Sequence, residues 1–276
     1  MADVVFCSRQ ARHGYLKANR GGLRRNHSLT VPNDILVPLA DTEADNRPNA
    51  TGFNSVKQKL IGGETIVEIG CGRGLLSMEM AKLVGPQGRV VSIDSSPEAI
   101  NAARQNARVA GLDNLDFYLC RVDSIPLPAG VADWIISEGV VSPSSGKMAV
   151  FREMYRVLAP RGGIVIHDIA IRKLLPPEIA DSVAAFTFGL AGAIELSSYG
   201  KLLNTTGFSH CDIAETPTIS HVELFWDAAA PEPAYRMGAT GLAAPLRTSA
   251  GRHWLHEYVT GIRIEARKPW CPTAVA

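Results

Sequence analysis

Between Glu64 and Asp168, short runs rich in Val and Ile alternate with stretches whose apolar residues return at helical spacing. A parallel sheet with helical crossovers demands that alternation, because its strands are buried on both faces and each crossover helix has one apolar stripe. The pattern predicts strands at Thr65–Ile69, Arg89–Ile93, Leu115–Leu119, Ala132–Ser137 and Gly163–His167, with a final strand around Tyr258–Ala266. It predicts helices at Leu75–Leu83, Pro97–Ala110 and Lys147–Leu158. The last of these puts Val150, Phe151, Met154, Val157 and Leu158 on one stripe, with Arg152, Glu153 and Arg156 opposite. Ala159-Pro160-Arg161-Gly162-Gly163 then reads as the helix end and the entry to the next strand.

The rest of the chain is organised around this block. With 46% apolar and 20% charged side chains over 276 residues, the chain can bury a full core. Residues 1–55 read as a basic arm: Arg9, Arg12, Lys17, Arg20, Arg24 and Arg25 occur with no acid between Asp3 and Asp34, and Gly21-Gly22 interrupts any helix. The arm is either a solvated tail or a lid, closing over its own subunit or exchanged with a neighbour in a homo-oligomer. Residues 56–276 read as one domain with an Ala/Pro/Gly-rich insertion at 227–252. A net charge of +1 gives no global attraction to nucleic acid or anionic membrane. No apolar run approaches the roughly 20 residues of a membrane span, and the opening MADVVFCSRQARHG lacks a leader's apolar core, so a cytoplasmic location is expected. Five scattered cysteines without a CxxC pair predict neither a disulfide framework nor a structural zinc site, and the histidines lack a common ligand spacing.

The first strand stops in ETIVEIGCGRG, an apolar run ending in three alternating glycines. A strand, glycine turn and helix can hold any nucleotide-like ligand, so the flanking residues must decide. A dinucleotide fingerprint needs a small residue five positions after Gly70, where this chain has Leu75, and no Gly-Lys-Ser/Thr follows for a phosphate loop. Glu68, two residues before the turn, would repel a pyrophosphate and attract an ammonium or sulfonium. S-adenosylmethionine has that charge pattern, and its ribose diol calls for a carboxylate at the end of the second strand. Asp94 stands there, about 20 residues past the turn. Asp94 can equally cap the helix after Ser95-Ser96-Pro97.

With these residues in place, the sequence resembles the class I S-adenosylmethionine-dependent methyltransferases. EIGCGRG matches their first motif, SIDSSPEAI the ribose motif and CRVDSIPLP the loop framing the adenine. The resemblance implies a Rossmann-like, doubly wound, mostly parallel seven-stranded sheet with S-adenosylmethionine as cofactor. It assigns the cofactor to Glu68, Gly70, Cys71, Gly72, Gly74, Asp94, Ser95, Val122, Asp123 and Ser137. Asp123 reads nearly as well as a turn former. The segments DWIISEGVVSPSSGKMAVFREMYRVLAPRGGIVIHDIAIRKLLPPEI and GLAGAIELSSYGKLLNTTGF look most like the arsenite methyltransferases and the ubiquinone/menaquinone C-methyltransferases. The arsenic-binding cysteines of the former correspond to Gly52, Gly139 and Gly189. Loss of soft thiolates implies a changed acceptor, and Phe53, Phe186, Phe188 and Leu190 can wall an apolar one unless they are plain core.

Methyl transfer from a sulfonium draws mainly on alignment in a dry site, so few catalytic residues are expected. Glu138 follows the fourth strand, and His167 with Asp168 closes the fifth. Either His167 or Glu138 can act as a base, although a histidine hydrogen-bonded into the core is the competing reading. Tyr199 can orient a substrate or pack beneath its helix. The expected activity is C-methylation of an apolar small molecule of specialised metabolism, with O- or N-methylation as the alternative. A nucleic-acid methyltransferase is disfavoured because SEGV replaces an Asn/Asp-Pro-Pro-aromatic motif after the fourth strand.

Overall fold

The computed structural model describes residues 56–175, 190–216 and 256–270. The arm at 1–55, the insertion at 227–252, Gly52, Gly189, Phe53, Phe186 and Phe188 lie outside the described residues. Strands β1 (Thr65–Ile69), β2 (Arg89–Asp94), β3 (Leu115–Leu119) and β4 (Ala132–Glu138) alternate with helices α1 (Leu75–Val84), α2 (Pro97–Val109) and α3 (Lys147–Val157). They are followed by β5 (Leu158–Ile171), β6 (Ile194–Glu195), α4 (Leu196–Thr206), β7 (Ser209–Thr216) and β8 (Val259–Arg267).

The sheet runs β3-β2-β1-β4-β5-β8-β7, with the two-residue β6 beside β5, so it carries one short strand more than the seven expected. β8 runs antiparallel to both β5 and β7, and the other pairings are parallel. The chain winds outward from β1 to β3, then returns to lay β4 on the other side of β1. That reversal leaves a crevice beyond the C-terminal ends of β1 and β4, where open α/β sheets bind ligands.

Every residue of β1 is buried, because both faces are covered. Val67, Ile69, Ile135 and Ile166 pack with Val150, Phe151 and Met154 of α3 and Tyr199 and Leu203 of α4. On the other face, Ile66, Val90, Ile136 and Val165 pack with Met80 and Ala81 of α1 and Ile100 and Ala103 of α2. Ser96 caps α2, its hydroxyl accepting from Ala99 N at 3.1 Å, and Pro97 fills the first helical position. Ser96, not Asp94, is therefore the N-cap of this helix.

β5 is longer than the sequence pattern suggested. It starts at Leu158 and passes through a register irregularity between Ala132 and Trp134 of β4, where Arg161 has φ +66°. The Pro-Arg-Gly-Gly turn signal thus marks a bulge inside the strand, not a loop before it.

Candidate cofactor and active site

Gly70 N and Cys71 N both donate to Ile93 O, at 2.8 and 3.1 Å, and Gly72 N donates to Asp94 Oδ2 at 2.9 Å. These bonds dock the glycine turn on the end of β2. Gly70 has φ +81°, and a Cβ built on it would overlap the Val140 Cγ2. Only glycine lets that valine sit against the turn. Among the described residues, a Cβ on Gly72 would meet nothing within 4 Å, so this part of the turn faces open space between them.

The open space has two halves that meet at Ile69 and Gly70. One, of about 210 Å³, is lined by Glu68, the turn, Arg73, Leu75, Ile136 and Glu138. The other, of about 360 Å³, is lined by Asp94, Ser95, Arg121, Val122, Asp123, Gly139 and Val140, among others. A separate hollow of about 470 Å³ lies among Lys82, Pro86, Arg89, Asp113 and Asn114, at the opposite edge of the sheet from the strand C-termini.

Glu68 is 3% exposed and accepts the hydroxyls of Ser77 and Ser92 on one oxygen, the latter at 2.8 Å. Burial pushes its carboxyl up to about 8, the serine bonds oppose the shift, and Glu138 and Asp94 add to it. Without a cation in the crevice, Glu68 therefore holds a proton near neutral pH. Its folded-state value lies above its unfolded one, so its contribution to stability is complete below the ordinary carboxylate range. That contribution is lost as pH rises toward about 8. A bound ammonium reverses the preference, so calorimetry near pH 6.5 with S-adenosylhomocysteine, in buffers of different ionisation heat, should show proton release on binding. Glu68→Gln should release none. Equal proton counts in the two proteins would mean that this carboxyl does not face the ammonium.

Asp94 uses one oxygen for Gly72 N and the other for Ser96 N, at 2.9 Å each. Each oxygen keeps acceptor capacity toward the larger half of the crevice. Asp123 faces the same half but is gripped by Arg121 at 2.9 and 2.6 Å, which holds its carboxyl below the usual range. Ser95 and Val122 line that half as well. The Cys71 side chain is 6% exposed and belongs to the core. Burial and the charges of Glu68 and Asp94 push its thiol upward, so it contributes backbone, not thiolate.

Ser137 lines neither half of the crevice, and Tyr199 takes the second of its two expected places, packed beneath its helix. Ser137 is 1% exposed on the strand between Ile136 and Glu138, and pleating turns it to the α3 face, away from the glycine turn's acids. Its buried hydroxyl has no hydrogen-bond partner among the described residues. Tyr199 is fully buried in the core cluster, and its hydroxyl donates to Ile169 O at 3.0 Å. It holds α4 to β5. Glu138 and His167 are direct register partners at the C-terminal end of β4. His167 is 7% exposed and stands four residues before the end of β5, not at the close of the strand as expected.

Sequence reasoning did not single out Arg73, which lines the half containing Glu68, or Cys120, Pro143 and Ser144, which line the other. Asp168 was placed with His167 but given no task. Its signal was an aspartate inside the apolar run VIHDIAI, which must find partners if buried. Among the described residues, no group of three His, Cys, Asp or Glu side chains is arranged to hold a metal. No described helix is long and apolar enough to cross a membrane.

A family described as a methyltransferase domain matches residues 61–207. The chain belongs to this family, and the charge pattern of the crevice fits S-adenosylmethionine. An arsenite methyltransferase from Halobacterium salinarum is 30% identical over 207 residues, covering 75% of this chain and 47% of the relative. A ubiquinone/menaquinone biosynthesis C-methyltransferase from an Enterobacter species is 24% identical over 155 residues, covering 56% of this chain and 59% of the relative. The chain spans about half the length of the curated relatives it matches. Among solved structures, Haemonchus contortus phosphoethanolamine N-methyltransferase 2 in complex with S-adenosyl-L-methionine superposes with a TM-score of 0.62 at 13% identity. That alignment covers 95% of this chain and 57% of the other.

Proposed function

We propose that the chain transfers a methyl group from S-adenosylmethionine to a carbon atom of an apolar organic small molecule. The observation that carries the choice of acceptor is Gly139. It lines the crevice in the left-handed conformation, φ +66°, at a position where the resemblance to arsenite methyltransferases calls for cysteine. A side chain there is strained, and glycine leaves room instead of a soft ligand. The nearest cysteines in sequence to the two crevice motifs, Cys71 and Cys120, have thiols pushed up by burial and are poor thiolates at neutral pH.

When bound, the cofactor supplies an electrophilic methyl group on a cationic sulfur. The chain does the rest by placement. Glu68 and Glu138 hold the amino end, Asp94 orients the ribose, and the acceptor approaches from the side of Gly139 and Val140. Alignment and exclusion of water supply most of the acceleration. Glu138 or His167 accepts the proton that a carbon acceptor sheds after transfer. The same pair also favours a second reading, O- or N-methylation, in which the base acts before or during transfer.

Incubation with methyl-labelled cofactor and a metabolite extract, read by mass spectrometry and carbon NMR, tests the proposal. The label is expected in an organic product on a carbon-bound methyl. An oxygen- or nitrogen-bound methyl supports the second reading. With arsenite, a thiol reductant and cofactor, no methylarsenicals should form, and clear arsenite turnover contradicts the assignment of the acceptor.

A further inference from the structure

The loop between β4 and α3, residues 139–146, forms the Val140 wall of the crevice, and it is fixed from several sides. Gly139 N donates to His167 O at 2.8 Å. Asp168 on β5, 2% exposed, accepts Val141 N at 2.8 Å and Ser142 N at 3.1 Å on one oxygen, and Ile169 N at 2.8 Å on the other. Lys147 Nζ donates to Ser142 O at 2.9 Å and Ser144 O at 2.8 Å. Behind the loop, Gly192 lies so close to Ser142 O that a Cβ there would overlap it. A buried carboxylate costs several kcal/mol to desolvate, so it persists where charge-assisted bonds use both its oxygens. Here all three of its backbone donors follow β4 or belong to β5 itself.

We infer that Asp168 is a positioning residue for the cofactor site: by gripping Val141 and Ser142, it keeps Val140 seated on Gly70 and so closes the wall of the crevice. Asp168 itself lines neither half of the crevice, whereas Val140 does, in contact range of the missing Cβ of Gly70. The aspartate therefore acts through the valine. The inference rests on the reading of the crevice as the S-adenosylmethionine site.

A double-mutant cycle on the full chain tests it, with S-adenosylhomocysteine affinity measured by calorimetry and loop protection by hydrogen exchange. Asp168→Asn keeps the shape but weakens charge-assisted bonds, and should lower affinity about tenfold or more. It should also speed exchange across residues 139–146 while leaving β1 unchanged. Val140→Ala should weaken binding as well, and the double variant should bind about as weakly as the weaker single one, because both changes remove one coupled contact. If Asp168→Asn does not fold, Lys147→Met loosens the same loop from its other end and enters the same cycle. Multiplying losses in the double variant overturn the inference, as does wild-type affinity in a variant whose loop exchanges faster. Failure of the wild-type protein itself to bind S-adenosylhomocysteine would overturn the cofactor reading along with it.

Discussion

Asp116→Ala is expected to destabilise the fold by about 3–5 kcal/mol, the usual consequence of stripping the partner from a buried charge. Asp116 on β3 and Arg89 at the start of β2 form an ion pair in which each side chain is only 5% exposed. Removing the carboxylate leaves a guanidinium that cannot be deprotonated in a site from which water is largely excluded. The same strand carries Asp94 at its far end, so disorder at Arg89 threatens the ribose side of the crevice through β2. Urea denaturation reads the loss directly. Replacing both partners, as Arg89→Met with Asp116→Leu, should recover most of the stability, because two matched apolar groups leave no orphaned charge. A single Asp116→Ala variant within about 1 kcal/mol of wild type, at the weak end of such pairs, would show that Arg89 is held by other groups.

Gly70→Ala is the second large effect. A methyl group at φ +81° carries the left-handed penalty of roughly 1–2 kcal/mol. It must also displace Val140, and overpacking of that kind adds roughly 1–3 kcal/mol, for a total of about 2–5. Cofactor affinity should fall with stability, because the valine that moves is part of the crevice wall. Gly72→Ala is the informative contrast. At φ +50° its Cβ carries the same left-handed penalty, but among the described residues it meets no atom within 4 Å, so binding should suffer while the denaturation midpoint moves less than in Gly70→Ala, by roughly the overpacking share. Equal stability losses in the two variants would mean that Val140 does not press on the turn.

The sequence made the first four strands and three helices legible because burial on both faces removes polar alternation and leaves plain Val/Ile runs. β7 was missed for the opposite reason. SHCDIAET is an edge strand with most of its side chains partly or fully exposed, so no apolar period marks it. The turn, Glu68 and Asp94 were legible because their charge and spacing are local. The choice between the two readings of Tyr199 was not, since a tyrosine's direction from a helix depends on where β5 passes. Nor was the role of Asp168, whose partners are backbone N–H groups of a loop brought close only by the pairing of β4 with β5. Sequence shows the donor-poor carboxylate but not the amides that meet it.

The central claim is that the crevice flanked by Glu68, Gly70 and Asp94 holds S-adenosylmethionine. Calorimetric titration of the purified chain with S-adenosylhomocysteine tests it most directly, with NAD as the competing ligand class. One molecule should bind per chain and NAD should not. Asp94→Ala should weaken binding by about 1.5–3 kcal/mol, the range for a hydrogen bond to a charged group. Binding of NAD in place of S-adenosylhomocysteine, or an affinity unchanged by the loss of Asp94, would contradict the account.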